Sequence, residues 1–236
     1  GRAVQLRTFH SWFAALLRGA PLSVLQELRL PPQYELQEDD QPVLRHVWPR
    51  FYARVQGDAA ARDDFFASVR RVGRHQTLQA LNKAAARRVE FTLADAAGVV
   101  DRSVARLVEA FPDLQGFDSP AQWLLTSPQV RAVLQDAAIA LGRAPQKSFA
   151  AQGVLLEKAL TEGKPDDVVD ALLTKSTQEP RKFNDALMGI EAVPAAQALA
   201  VQFLQAERQQ AAWEHHQRLA RLTRVLLASY ADLKHE

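Results

Sequence analysis

The last part of the chain is an uninterrupted helical segment, and this feature constrains the fold more than any other. From about Pro194 to the last residue there is no glycine or proline, and good helix formers dominate. A helix of that length is on the order of 60 Å long at about 1.5 Å per residue, which exceeds what a small bundle needs. We expect one buried apolar stripe, formed by Leu199, Phe203, Ala206, Trp213 and Ala220 and continued by Leu222, Leu226 and Leu233.

The preceding sequence has the same helical character, and proline, glycine and capping residues punctuate it. Helix starts are predicted after Asp58, at Ser119-Pro120 and Ser127-Pro128, and at Pro165. We therefore predict an all-α, multi-helix fold of about ten helices with one short strand near the N-terminus and the long C-terminal helix. No internal repeat is visible, which argues against a solenoid.

The 236 residues permit one large domain or two small ones. A turn near 142–146, where glycine and proline flank a basic residue, is the candidate boundary between two lobes. Apolar residues make up 47% of the chain, which is enough for a buried core.

Several classes of protein are excluded by composition. The chain has no cysteine, so it holds neither a disulfide framework nor a thiolate metal site. No stretch is long and apolar enough to span a bilayer, so we expect no membrane partner and a cytoplasmic location. The chain begins with Gly1 rather than methionine, and we interpret it as part of a larger protein.

Positive charge is concentrated between Arg62 and Arg88, although the net charge of the whole chain is only +2. In this stretch Asp63 and Asp64 are the acidic residues, and the local excess of cations predicts a phosphate-binding patch. A solvated helical face is the alternative interpretation. The candidate residues are Arg70, Arg71, Arg74, Lys83, Arg87 and Arg88, with His75, Gln76, Thr77 and Asn82 as possible polar contacts.

The first residues of the chain predict a strand that turns into a helix. The strand-like segment is 4–7, and Thr8, Phe9, His10 and Ser11 follow it directly. Hydroxyl and imidazole groups beside free N–H groups at a helix N-terminus suit a phosphate. An ordinary N-cap threonine with a nearby surface histidine is the alternative.

This arrangement resembles the Thr-Phe-His-Ser motif of superfamily 1 DNA helicases of the UvrD/Rep type. Four further stretches are similar to the AddA-type helicase–nuclease subunits, which are relatives of the exonuclease V beta subunit: 21–26, 34–40, 173–182 and 230–234. The resemblance implies that residues 1–20 end a RecA-like portion and that 21–236 form the helical insertion called 1B. It also implies that Thr8, Phe9, His10 and Ser11 contact DNA, and that Arg181 and Lys182 form a second DNA contact.

The same resemblance implies a DNA-binding subdomain of an ATP-dependent helicase or helicase–nuclease in DNA repair and recombination. Expected partners are single-stranded DNA, duplex or forked DNA, the remaining helicase domains and a second helicase–nuclease subunit. The sequence holds neither a Gly-x-x-x-x-Gly-Lys-Ser/Thr loop nor an Asp-Glu-x-x-Asp run, so ATP and Mg²⁺ would belong to the parent protein and no cofactor to this chain.

No catalytic constellation is predicted. His215 and His216 are adjacent on a helix, point about 100° apart, and are interpreted as solvated histidines rather than metal ligands. Asp166 and Asp167 form an acidic pair at a helix start, where carboxylates stabilise the helix dipole. The alternative to a DNA-binding subdomain is a helical protein-interaction module whose long C-terminal helix pairs with a partner.

Overall fold

The structure is a computed structural model that describes Pro21, Ser23, Val24 and residues 41–234. The described part contains twelve α-helices and no strand, so the predicted all-α fold with a long last helix is confirmed. One isolated bridge joins Leu173 to Pro180. The strand predicted at 4–7 and the motif from Thr8 to Ser11 lie outside the described residues.

The helices follow one another with short connections. The first six are α1 (Gln41–Gly57), α2 (Ala59–Val72), α3 (Arg74–Ala86), α4 (Arg88–Ala96), α5 (Val99–Arg102) and α6 (Leu107–Ala110). A 3-10 turn (Pro112–Leu114) precedes the others, which are α7 (Pro120–Thr126), α8 (Pro128–Gly142), α9 (Lys147–Glu162), α10 (Pro165–Leu172), α11 (Asp185–Met188) and α12 (Ala192–Lys234).

Local capping explains several of the helix starts. The Asp58 side chain accepts a hydrogen bond from the Ala60 N–H at 3.0 Å, and the Ser119 hydroxyl accepts one from Gln122 N–H at 3.1 Å. Proline occupies the first position of α7, α8 and α10, where its missing N–H costs nothing. The predicted helix starts at these positions are confirmed.

The 43 residues of α12 form the axis of the described fold. At about 1.5 Å per residue the helix is on the order of 65 Å long. Its N-terminal half packs in one apolar core and its C-terminal half in another, so the two cores share a single continuous helix. The predicted stripe is therefore divided between two sets of partner helices.

The first core is built by α1, α2, α3 and the C-terminal half of α12. Val47, Phe51 and Val55 follow one another at four-residue spacing on α1, and they pack against Leu222 and Leu226. We call this the α1–α3 core. It lies next to the predicted basic patch, because α2 and α3 carry most of that patch.

The second core is larger and is built by α7 to α11 with the N-terminal half of α12. Fully buried side chains at its centre include Leu134, Leu141, Leu156, Leu172 and Ala200. We call this the α7–α11 core. The turn at 143–146 joins α8 to α9 inside this core, so the change between the two cores lies elsewhere in the chain.

The cores are joined by a polar seam along the middle of α12. The side chains of Gln209 and Gln217 donate to the carbonyls of Ala105 (2.6 Å) and Asp101 (2.9 Å). The His216 ring nitrogen Nε2 lies 2.6 Å from the Val100 carbonyl oxygen. Polar side chains on α12 thus provide hydrogen-bond partners for backbone carbonyls of the 100–105 segment, where the chain passes from one core to the other.

Candidate nucleic-acid interface

The turn between α2 and α3 places three of the predicted cations close together. Gly73 has φ of +85°, a conformation that glycine adopts without strain, and its N–H donates to the Val69 carbonyl at 2.9 Å. As a result Arg70 and Arg71 lie in the last turn of α2, and Arg74 begins α3. We call Arg70, Arg71 and Arg74 the turn cluster.

The turn cluster is exposed and carries uncompensated positive charge. All three side chains are exposed, and none has an ion-pair partner among residues 41–234. Arg70 and Arg71 lie in the last turn of α2, where a positive charge interacts favourably with the helix dipole. Arg74 lies at the N-terminus of α3, where a positive charge is unfavourable. Helix stability therefore gives no reason for an arginine at position 74.

Within the turn cluster, Arg70 and Arg71 face different ways. Arg71 lies one turn after the buried Ser68 on the side of α2 that packs on α12. Its charge acts on His215, whose pKa is lowered by burial first and by Arg71, Arg218 and His216 next. Arg70 points away from this contact because it is about 100° further round the helix.

The other predicted cations form a separate group at the far end of α3. Lys83 and Arg87 are exposed, and the guanidinium of Arg88 lies 4.9 Å from the ring centroid of Tyr230. We call Lys83, Arg87 and Arg88 the helix-end cluster. Along α3, Lys83 lies about 14 Å and Arg87 about 20 Å from Arg74 at 1.5 Å per residue, so the two clusters lie towards opposite ends of this helix.

One of the predicted polar contacts is wrong. Thr77 is fully buried, and its hydroxyl donates to the Gly73 carbonyl at 2.9 Å, so it serves the turn and is closed to a ligand. The four-residue return bond satisfies the hydroxyl inside the fold. Gln76 and Asn82, by contrast, are exposed beside the cations.

Three of the arginines of α12 form ion pairs within the described part of the chain. Arg221 pairs with Asp64, Arg224 pairs with Asp95 and Asp101, and Arg218 pairs with Glu214. The hydrogen bond and charge of Arg224 hold the pKa of Asp95 below its usual range, despite an opposing effect of burial. These side chains therefore add little free positive charge to the surface.

Arg181 and Lys182, the second predicted DNA contact, have different environments in the structure. Arg181 donates from Nε and Nη2 to the Asp170 carbonyl at 3.2 and 2.9 Å. The carbonyl of Arg181 in turn accepts from the buried side chain of Gln197 at 2.8 Å. Arg181 thus holds the turn after α10 in place, whereas Lys182 is exposed.

The paired histidines are half-buried rather than fully solvated. His216 contacts the Val100 carbonyl and the Ser103 hydroxyl, and Nδ1 of His215 is buried with no hydrogen-bond partner. The described residues contain no group of three or more histidine and carboxylate side chains with the geometry of a metal site.

The sequence contains no Gly-x-x-x-x-Gly-Lys-Ser/Thr stretch. Its single Gly-Lys pair, Gly163-Lys164, precedes Pro165, which has no N–H for a phosphate, and Lys164 Nζ lies 2.6 Å from a Glu162 carboxylate oxygen.

Comparison of the chain with protein-family models, curated protein sequences and solved structures found no match. Among the described helices, none is long and apolar enough to cross a membrane.

Proposed function

We propose that this chain is a DNA-binding helical subdomain that contacts the phosphate backbone through the turn cluster. The observation that carries the proposal is the exposure of Arg70, Arg71 and Arg74 without any anionic partner in the described part of the chain. Arginine at such a site donates to phosphate oxygens in a planar, bidentate geometry.

The resemblance to UvrD/Rep-type helicases supports a place in DNA unwinding for repair or recombination. In that proposal the parent protein's other domains hold ATP and Mg²⁺, and Thr8, Phe9, His10 and Ser11 make a further DNA contact. Lys83, Arg87 and Lys182 are exposed and would add weaker, longer-range attraction.

The alternative of a protein-interaction module acting through the stripe of α12 has less support. Its apolar residues Phe203, Ala206, Leu222 and Leu226 are buried against the chain's own helices. A partner helix could reach them only by displacing those helices.

A salt titration tests the proposal. Fluorescence anisotropy of labelled single-stranded and forked DNA should give an affinity that falls with salt concentration, because bound arginines release counterions. The variant Arg70→Gln/Arg74→Gln should bind about tenfold more weakly or worse, with a salt slope shallower by about 1.4 for single strands, or about 0.7 per lost contact.

The matched control is Arg143→Gln/Lys147→Gln, which removes the same amount of charge from two exposed residues. They lie at the turn between α8 and α9, away from the turn cluster in the chain. It should leave both affinity and slope nearly unchanged. An equal effect of the two variants would show unspecific charge attraction, and an unchanged slope for Arg70→Gln/Arg74→Gln would rule out the turn cluster as the contact.

ATP turnover tests the missing-loop argument separately. The chain should hydrolyse no ATP, with or without DNA, because no phosphate loop is present in the sequence. DNA-stimulated turnover that copurifies with the chain through repeated chromatography would contradict the argument.

A further inference from the structure

An apolar groove lies beside the helix-end cluster, between α4 and the C-terminal part of α12. Val89, Thr92 and Leu93 of α4 form one wall, and Leu227, Tyr230 and Ala231 of α12 form the other. The groove has a volume of about 360 Å³ and is open to solvent. Its apolar walls make it a different kind of surface from the turn cluster.

The apolar side chains of α4 are unusually exposed. Val89 is 61% exposed and Leu93 is 68% exposed, and they lie four residues apart on one face of the helix. None of the nine residues of α4 is fully buried. Phe91 and Asp95 on the opposite side of α4 are half-buried, and Asp95 pairs with Arg224 of α12, so α4 is held on that side while Val89 and Leu93 stay uncovered by the described residues.

The charge around the groove is predominantly basic. Lys83, Arg87 and Arg88 precede Val89 in the chain, and Glu90 is the nearby acid that is not ion-paired within the described residues. The other acid of α4, Asp95, is already paired with Arg224. An occupant with apolar contacts and acidic flanks would therefore be complementary to both features.

The chemistry of the walls favours a peptide over a nucleobase. Bases stack on open aromatic faces, but Tyr230, the one ring that the described residues place in the groove, is 8% exposed and has Arg88 over its face. Aliphatic side chains at helical spacing instead match the apolar stripe of an amphipathic helix. A second copy of this chain would bring two basic rims together.

We propose that the groove of Val89, Leu93, Leu227 and Tyr230 is a docking site for an amphipathic protein helix with acidic flanks. This proposal is independent of DNA binding by the turn cluster. The partner helix would cover Val89 and Leu93 with its own apolar side chains and pair its carboxylates with Arg87, which is exposed next to the groove-lining Arg88.

The probe is a fluorescein-labelled peptide of about 18 residues with leucines at i, i+4 and i+7 and glutamates on the flanks. It should bind the full chain with Kd on the order of 10 μM, which is typical of a small apolar contact. A scrambled peptide, and one with lysine in place of glutamate, should bind at least tenfold more weakly.

The variant Leu93→Glu should reduce binding of the acidic peptide at least tenfold, and Arg87→Glu should reduce it severalfold. Val154→Glu is the matched control, because Val154 is 62% exposed on α9, a helix that does not form the groove. This variant should bind the peptide as tightly as the wild type. Circular dichroism establishes that each variant keeps its helix content, since the substituted side chains are exposed.

Three results would overturn the proposal. One is equal binding of the acidic and scrambled peptides, and another is equal binding by the Leu93→Glu and Val154→Glu variants. The third is stronger peptide binding after Glu38, Asp39 and Asp40 are neutralised to Gln, Asn and Asn in the full chain, which would identify the chain's own acidic segment as the occupant.

Discussion

Arg221 and Asp64 form a bidentate ion pair that fixes α2 against α12. Nε of Arg221 donates to one carboxylate oxygen at 2.7 Å, and Nη2 donates to the other at 2.8 Å. The Asp64 side chain is 12% exposed and that of Arg221 is 51% exposed. The planar geometry makes this pair more directional than a single lysine contact.

Replacing Arg221 with alanine should lower the free energy of unfolding by about 1 kcal/mol. This value lies between those of exposed pairs and buried pairs, because the carboxylate is nearly buried and its partner is half exposed. Urea unfolding followed by circular dichroism measures the loss. A double-mutant cycle with Asp64→Ala separates the pair itself from the packing of each side chain, and additive losses would contradict a direct interaction.

Gly153 allows α9 to approach α8 closely, and Gly153→Ala should lower the free energy of unfolding by about 2 kcal/mol. An added Cβ would lie 2.3 Å from the Gly142 nitrogen and 2.7 Å from the Ala138 carbonyl oxygen, so the helix backbones would have to move apart. Urea denaturation measures the effect. Gly142→Ala is the control, because its Cβ would meet nothing within 4 Å and should cost no stability.

The helices could be predicted from sequence because their signals are local. Asp58 and Ser119 cap helices with their own side chains, and prolines mark two further starts. The division into two cores was not predictable in this way. It depends on which helices pack on each half of α12, and residues such as Asp64 and Arg221 meet across 157 positions of sequence.

The candidate site was predictable only as a collection of cations. Charge spacing located Arg70, Arg71 and Arg74, but it gave no sign that the length of α3 separates them from Lys83 and Arg87. It also gave no sign that a polar side chain beside them, Thr77, would be buried. The only sequence signal for the burial of Thr77 is its four-residue spacing from Gly73, because a threonine hydroxyl in a helix can donate to the carbonyl four residues earlier.

Arg181 and Lys182 should respond differently to alanine substitution. Arg181→Ala removes two hydrogen bonds to the Asp170 carbonyl and should cost about 1–2 kcal/mol of stability. Lys182→Ala changes an exposed side chain and should alter stability by less than about 0.5 kcal/mol. Thermal unfolding of the two variants measures the difference, and equal melting temperatures would contradict a structural role for Arg181.

The pKa of His215 predicts a loss of stability in mild acid. Burial lowers this pKa, and the neighbouring charges of Arg71 on α2 and of Arg218 and His216 on α12 lower it further. The unfolded chain, in which histidine has a pKa of about 6.5, therefore binds a proton more readily than the folded chain. The stability from neutral His215 is present above that value and is lost as pH falls toward the lower folded pKa.

Urea unfolding at pH 7.5, 6.5 and 5.5 should therefore show a decline in stability that is smaller in His215→Gln, because glutamine does not titrate. Arg71→Gln should also reduce the decline, since it removes the largest charge effect on His215, although burial would keep part of it. His75→Gln is the control, because His75 is exposed on α3, and it should keep the full decline. A parallel decline in the wild type and His215→Gln would show that His215 is not responsible.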